Sequence, residues 1–336
     1  MKNKRTYYFL LLFSLVLLSC NGQQSVIPKA ITDAPPMHIQ RFDKDLFSLI
    51  SASSSDTTRE KQFSEQYPGM LKVLGQGILN MQSVSTLGFF NRLINYYSEP
   101  TLNGLYRDAL QKYEKIDTYE QQLGNAFSWI QTVFPEMPLP KVYMHVSGFN
   151  QNILIGDNLI SISIDKYLGN DYKLYKDFFY DSQRWRMTPE RVVPDYVTGW
   201  LMSEFPFAGK ENVLLDRMIY AGKIFFIVHH SLPDIVPEIL LGYQKKDYDW
   251  CKEQTGNIWR AIIQRKHLYT PDRLVTDKYF DDMPSQFLAS DAPGNIGTFM
   301  GWLIIEKYMS KTHSSLEQLM KNGSSQDILT ASEFKP

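Results

Sequence analysis

The chain contains 336 residues with a formal net charge of −1, and 43% of the residues are hydrophobic against 21% charged. These proportions are typical of a globular protein with a sizeable core, and the near-neutral charge gives no reason to expect a nucleic-acid partner. Aromatic residues reach 14%, which favours a core of large rings over a carbohydrate-binding surface.

The N-terminus carries the most specific signal. A basic start (residues 2–5) precedes an apolar stretch, residues 7–18, that is too short for a transmembrane helix. The stretch ends in LLSC at residues 17–20, the pattern of a bacterial lipobox, in which the thiol of Cys20 is lipidated and the chain is cut before it. We therefore predict that residues 1–19 are a lipoprotein signal peptide.

Residues 20–37 are polar, contain three prolines and are predicted to tether the lipid to a single globular domain, residues 38–336. Acyl chains on Cys20 would hold the protein firmly in a membrane. The tether lacks the acidic run that often directs bacterial lipoproteins to the cell surface, so we expect outer-membrane anchoring on the periplasmic side. With Cys20 lipidated, Cys251 has no disulfide partner in the chain and is expected to be a buried thiol.

The N-terminal part of the domain reads as helical. Residues 38–47 are predicted to be a short strand that enters a helix, and residues 51–58 a loop. Apolar residues then recur at spacings of three and four over residues 59–134, which predicts three or more helices.

The period then changes to alternation. Residues 141–146 and 153–164 are β-branched and alternating, with turn signals at 148–152 and 156–158, which predicts two or three antiparallel strands. Short helical pieces are expected at residues 165–168 and 172–179. The fold class is thus α+β and mainly α-helical: N-terminal helices, a small antiparallel sheet and C-terminal helices.

The longest nearly uninterrupted apolar segment outside the N-terminus lies within residues 211–259. The apolar residues of 214–228 cannot be placed on one face of a helix, so this helix is predicted to be buried on most sides. Gly222, which precedes Lys223, costs about 1 kcal/mol in a helix relative to alanine. We therefore expect another element to pack close to Gly222.

Three further helices are predicted in the C-terminal half. Residues 191–202 form an apolar helix interrupted by Pro194, residues 290–309 a glycine-rich start followed by an apolar helix, and residues 316–320 a last short helix. Gly297 and Gly301 lie four residues apart, hence on one helix face, and would let a second helix approach closely.

The six histidines offer no metal-binding pattern. None lies in HExxH or at zinc-ligand spacing from an acid. His229 and His230 are adjacent, so on a helix they point about 100° apart. We interpret them as residues of a helix C-terminus, which the helix dipole favours.

Short motifs follow one another along the mature chain. They are the lipobox, RFDKDLF at 41–47, ISISIDKYLG at 160–169, LLDRMIYAGK at 214–223, Leu232-Pro233-Asp234, Gly242-Tyr243, Trp250-Cys251, Ile258-Trp259, Leu268-Tyr269, PGNIG at 293–297, Gly301-Trp302 and Tyr308-Met309. In this order they resemble the gliding-motility lipoprotein B (GldB) family of Bacteroidota. The resemblance implies an envelope lipoprotein tied to gliding and, in some members, to the associated secretion machinery.

Ten residues of these motifs are candidates for structural or partner-binding roles. They are Arg41, Asp43, Gly222, Lys223, Asp234, Trp250, Trp259, Gly297, Gly301 and Trp302.

A more distant resemblance is to zinc peptidases in which an E-G-x-A helix and a closing G-x-x-x-G helix follow the zinc helix. It implies that residues 191–205 stand where HExxH would be, without either His, and that Ala221 stands where a Glu ligand would be. Because zinc needs three protein ligands to keep a catalytic water position, we hypothesise an inactive peptidase-like scaffold without metal or cofactor.

Two classes of function remain open. The leading one is a non-enzymatic, lipid-anchored accessory or scaffold factor that binds an envelope protein in a cleft lined by residues 191–205 and the apolar helix. The alternative is an envelope hydrolase that uses Glu204 with His229 or His230. A third, glycan binding, would require several Trp side chains more than a third exposed around one groove.

Overall fold

The computed structural model describes residues 27–52, 57–81 and 83–336. The predicted signal peptide and Cys20 lie outside the described residues. In the part that is described, many helices surround one small sheet, which confirms the prediction of an α+β, mainly α-helical chain.

The first half of the described chain is helical up to the second strand. Strand β1 (Ile39–Gln40) leads into α1 (Phe42–Ile50), which is followed by α2 (Thr57–Gln66), α3 (Pro68–Leu74), α4 (Phe89–Tyr97), α5 (Pro100–Lys112) and α6 (Asp117–Val133). A π turn, Gly75–Leu79, extends α3. The predicted strand-to-helix start and the helical stretch after it are therefore confirmed.

The sheet has four strands, with β2 (Lys141–His145), β3 (Ile153–Gly156) and β4 (Leu159–Ser163) added to β1 in the order β1-β2-β4-β3. Strands β3 and β4 form the predicted antiparallel hairpin, but β1 pairs with β2, and β2 with β4, in parallel. The prediction of an antiparallel sheet was therefore wrong for two of these pairs. Every residue of β4 is buried whereas β3 is partly exposed, so β4 takes the inner position beside β2 and β3 the edge.

The second half of the chain forms the remaining helices. They are α7 (Tyr175–Phe178), α8 (Asp181–Arg184), α9 (Val192–Glu204), α10 (Leu214–Ser231), α11 (Pro237–Leu241), α12 (Lys245–Gln264), α13 (Arg273–Asp277), α14 (Ile296–Thr312), α15 (Leu316–Lys321) and α16 (Ser325–Ser332). Pro194 does not interrupt α9, because it lies in the first turn, where a backbone N–H needs no helical partner. Helix α16, capped by Ser324, was not predicted.

Helix α10 lies at the centre of the C-terminal half. Its buried residues cover every side of the helix, as predicted for this segment, and include Leu214, Leu215, Met218, Ile219, Ile224, Phe226, Ile227 and Val228. Helix α14 packs along it, and α6 and α9 contact it from other sides.

The chain ahead of β1 lies along α6. The indole of Trp129 donates a hydrogen bond of 3.2 Å to the carbonyl of Pro28, and a Cβ at Gly124 would lie 2.1 Å from the carbonyl oxygen of Pro35. Residues 27–37, predicted as the second part of the tether, are thus held against a helix of the domain.

Candidate functional site

A cleft of about 450 Å³ opens beside α9 and α10. Helix α9 lines it with residues at helical spacing, from Pro194 and Thr198 to Met202, and α10 lines it with Ala221 and Phe225 among others. The prediction of a cleft between residues 191–205 and the apolar helix is confirmed.

Most of the cleft surface is apolar. Its apolar residues are Pro194, Met202, Phe207, Ala221, Ile224, Phe225, Val228, Leu240 and Phe280. They come from both helices, from the loop after α9 and from the segments around α11 and α13. A concave surface of this kind binds apolar groups, because such groups leave water on binding.

Arg191 and Asp195 form the inner polar wall. The Arg191 guanidinium lies 2.6 Å from the Asp195 carboxylate and donates hydrogen bonds to the carbonyls of Ile239 and Leu240. The second Asp195 oxygen accepts a hydrogen bond of 2.8 Å from the hydroxyl of Tyr167. The single carboxylate that α9 contributes to the cleft is therefore fully engaged.

A second set of ion pairs forms the outer wall. Arg217 pairs with Asp277 and lies 4.3 Å from the ring centre of Phe280. Arg273 lies 3.1 Å from the carboxylate of Glu211. Because these charges are paired, the cleft carries little net field, and its attraction for a ligand comes from its apolar surface.

One buried donor of the wall remains unused. Arg191 is 9% exposed, and its Nε–H has no hydrogen-bond partner within the described part of the chain. A buried donor without an acceptor costs about 1–3 kcal/mol, and this atom is too deeply buried for a molecule in the cleft to supply the acceptor.

The family of the chain follows from comparison with known proteins. The family model described as gliding motility protein GldB matches residues 24–336. The chain belongs to the GldB family. No curated protein and no solved structure matched it. The resemblance seen in the sequence motifs is confirmed, and the chain is thereby related to the gliding-motility lipoproteins of the cell envelope.

The first GldB-like motif forms a buried ion pair that does not line the cleft. Arg41 donates hydrogen bonds from Nε and Nη2 to the Asp43 carboxylate at 2.5–3.2 Å, and from Nη1 to the carbonyl of Tyr113 at 2.7 Å. The Asp43 side chain is completely buried. This pair joins the start of α1 to the end of α5, so its role in the structure is to hold elements together.

The glycines of the family motifs lie at close contacts. A Cβ on Gly222 would stand 2.4 Å from the carbonyl oxygen of Gly301, and one on Gly301 would stand 1.9 Å from that of Met218. The predicted close approach of a second helix thus occurs at Gly222 and Gly301. At Gly297 the close neighbour is the ring of Phe280, not a helix.

The other candidate residues have separate surroundings. Trp302 is buried, with its ring 4.8 Å from that of Phe225, and Trp259 packs edge-on against Phe334. Asp234 is exposed in the turn after α10. Trp250 donates a hydrogen bond of 2.8 Å to Asp291 in a second cavity. The neighbouring Cys251 is buried as predicted, and this burial raises the pKa of its thiol to about 12.

The residues of the alternative hydrolase do not line the cleft. His229 and His230 occupy the last turn of α10, as predicted. His230 contacts the carbonyl of Phe226 one turn earlier, and Glu204 lines another cavity, beside Phe134. Within the described ranges, no group of three or more His, Cys, Asp and Glu side chains could hold a metal ion, and no helix has the length and apolar character needed to cross a membrane.

Several cleft residues were not singled out from the sequence. They are Arg186, Arg217, Arg273, Asp277 and Phe280. The segment of residues 272–280 shows no apolar period that would place it beside α10. The pairing of Arg217 with Asp277 joins residues that are 60 positions apart, and only the tertiary structure shows it.

Lys223 gives a prediction of pH dependence. Its side chain is 7% exposed, its Nζ lies 2.6 Å from the carbonyl of Asn322 at the end of α15, and burial lowers its pKa to about 8. Between pH 8 and 10.5 the folded chain therefore binds fewer protons here than the unfolded chain, and the free energy of unfolding should rise with pH by about 2 kcal/mol.

Urea unfolding of the wild type and of Lys223→Met, followed at pH 7.5 and pH 10, checks this expectation. The difference in free energy of unfolding between the two proteins should shift in favour of the wild type at pH 10. The many buried tyrosines titrate in both proteins and cancel. An unchanged difference would contradict the lowered pKa.

Proposed function

We propose that this GldB-family chain is a non-enzymatic accessory factor of the cell envelope. It is anchored by lipid on Cys20, in the outer membrane facing the periplasm, and holds an apolar segment of a partner protein in the cleft beside α9 and α10. The partner belongs to the gliding or the associated secretion machinery. The observation that carries the proposal is the chemistry of the cleft wall.

The resemblance to zinc peptidases implies that the positions that would serve catalysis have other side chains here. Pro194, Asp195 and Thr198 of α9 line the cleft with the spacing of an HExxH motif, and Ala221 of α10, for which the resemblance implies the place of a third zinc ligand, lines it as well. Asp195 is committed to Arg191 and Tyr167. This set favours binding over cleavage, because it provides neither a nucleophile with a base nor a zinc ligand set.

The apolar surface suits an extended peptide. Apolar side chains of a partner would contact residues such as Ile224 and Phe225. These contacts require no charge on the partner, since the ion pairs of the wall are already complete.

Filling the cleft tests the proposal. Ala221→Phe, on α10, and Thr198→Phe, on α9, each place a ring in the space that the partner would occupy. The full-length lipidated protein is crosslinked in its native membrane and purified, and captured envelope proteins are quantified by mass spectrometry. Each variant should reduce the capture of the cleft partner by about tenfold, because a steric clash discriminates strongly.

Two controls make the result interpretable: a variant outside the cleft, and the unfolding temperature of the cleft variants. Tyr269→Phe changes an exposed ring that does not line the cleft. Tyr269→Phe should capture the partner at the wild-type level, and the two cleft variants should unfold at the wild-type temperature because the cavity accommodates the added ring. Equal capture by the wild type and both folded cleft variants would overturn the assignment of this cleft.

A further inference from the structure

A second cavity of about 620 Å³ adjoins the cleft. Arg186 lines both spaces. Asn295 lines the cleft, and its neighbour Gly294 lines the second cavity. In the same way, Leu240 lines the cleft and Gly242 lines the second cavity. The two spaces therefore lie on opposite sides of one thin wall.

The wall between them is fixed in place. Arg186 lies 2.9 Å from the carboxylate of Asp282 and donates a hydrogen bond of 2.8 Å to the carbonyl of Leu241. Gly242 has a φ of +71°, and a Cβ there would stand 2.4 Å from the Arg186 side chain. The absence of a Cβ at Gly242 thus leaves room for the Arg186 side chain between the two spaces.

The second cavity differs from the cleft in chemistry, because its wall is acidic and aromatic. Four carboxylates line it, two of which are paired: Asp181 with Arg184 and Asp282 with Arg186. Asp247 and Asp291 have no cationic partner within the described stretches of the chain, against one unpaired cation in the wall, Lys246. An excess of negative charge therefore remains.

Two indole rings lie beside these unpaired carboxylates. Trp185 is 40% exposed, and Trp250 is partly buried and oriented by its hydrogen bond to Asp291. An ammonium or guanidinium group over an indole face gains about 0.5–1 kcal/mol at an exposed site. Carboxylates and indoles together form a site for a Lys or Arg side chain.

We propose that the partner segment extends past Arg186 and places a basic side chain in the second cavity, between Trp185, Trp250, Asp247 and Asp291. The recognised sequence is thus an apolar run followed or preceded by Lys or Arg. This inference rests on the proposed function of the cleft and specifies the chemistry of its partner. A glycan is the less favoured occupant, because Trp185 is the one described Trp in either wall that is more than a third exposed.

Selection from a random peptide library on the immobilised full-length protein tests the inference. Enriched peptides should combine an apolar run with at least one Lys or Arg. Their affinity, measured by calorimetry, should fall by about tenfold in Asp247→Asn/Asp291→Asn, because two charge contacts are lost while both amide oxygens still accept the hydrogen bonds from Gln244 and Trp250. Glu253→Gln, exposed on the same helix α12 and absent from the cavity wall, should leave the affinity unchanged.

The outcomes separate the inference from the proposed function. Peptides that lose affinity in Ala221→Phe but bind Asp247→Asn/Asp291→Asn normally would overturn the basic-residue inference and leave the cleft assignment standing. Peptides insensitive to Ala221→Phe, or no enriched peptide, would overturn both. Binding of a tetramer of N-acetylglucosamine that is lost in Trp185→Ala would replace the peptide by a glycan in the second cavity.

Discussion

Replacement of Gly301 by alanine is expected to lower the free energy of unfolding by about 3 kcal/mol or more. The new Cβ would stand 1.9 Å from the carbonyl oxygen of Met218, which is part of the backbone of α10. No side-chain rotamer can relieve that contact, so α10 and α14 must move apart along the most extensive helix contact of the described chain. Because α10 also lines the cleft, partner binding should weaken in parallel.

Gly104 provides the matched control. It lies within α5, and a Cβ there would meet nothing within 4 Å. Gly104→Ala should therefore raise the free energy of unfolding by about 0.5–1 kcal/mol, since alanine loses less backbone entropy in a helix. Urea denaturation of both variants measures the contrast. If Gly301→Ala were as stable as the wild type, the close crossing of α10 and α14 would be wrong.

The close crossing of α10 and α14 was predictable because glycine occupies helix positions where its helix propensity is unfavourable. A glycine in the middle of an apolar helix lowers helix stability, and the fold must offset that cost through a contact that no larger residue permits. Gly222 and Gly301 both lie inside an apolar helix, and both make such a contact. Gly297 lies in the first turn of α14, not in its middle, and its close neighbour is the ring of Phe280. Spacing in the sequence alone could not tell whether that neighbour would be a helix or a side chain.

The strand directions show where local patterns stop being informative. Turn residues at 156–158 determined the β3–β4 hairpin, whereas the pairing of β2 with β4 depends on which strand is buried on both sides. The burial of all five residues of β4 follows from helices on both faces of the sheet. That property belongs to the assembled fold rather than to the strand.

The cleft likewise has one part that the sequence predicted and one part that it did not. The two helices that wall it were predicted because α9 and α10 are rich in apolar residues, and the resemblance to zinc peptidases implied a special position for Ala221. The opposite wall comes from Arg273 and Asp277, in a five-residue helix with no pattern of its own. Short segments that are held by tertiary ion pairs, such as Arg217 with Asp277, carry little signal in a single sequence.

The buried pair of Arg41 and Asp43 gives the second large expected effect. Asp43→Ala should destabilise the domain by about 3–5 kcal/mol, because removal of one partner leaves the other as an uncompensated charge in a buried site. Arg41 would keep its hydrogen bond to the Tyr113 carbonyl but lose the contacts of 2.5–3.2 Å to Asp43. Thermal and urea unfolding both measure the loss.

An exposed ion pair with a similarly short N···O distance serves as a control that separates the effect of burial from the effect of pairing. Lys245 and Asp249 lie 2.8 Å apart, but 74% and 43% of their side chains are exposed. Asp249→Ala should therefore lower the free energy of unfolding far less than Asp43→Ala, because solvent screens an i,i+4 pair on a helix surface. Equal losses in Asp43→Ala and Asp249→Ala would contradict the role of burial.

The double variant Arg41→Met/Asp43→Leu completes the argument. It removes both charges and keeps comparable volume, so it should recover much of the stability lost in Asp43→Ala, because the desolvation cost disappears with the charges. Recovery would mean that the pair is not needed for stability as such. Its place between α1 and α5, outside the cleft lining, would then mean that it specifies how these two helices meet. A double variant less stable than Asp43→Ala would instead assign the pair a net stabilising energy.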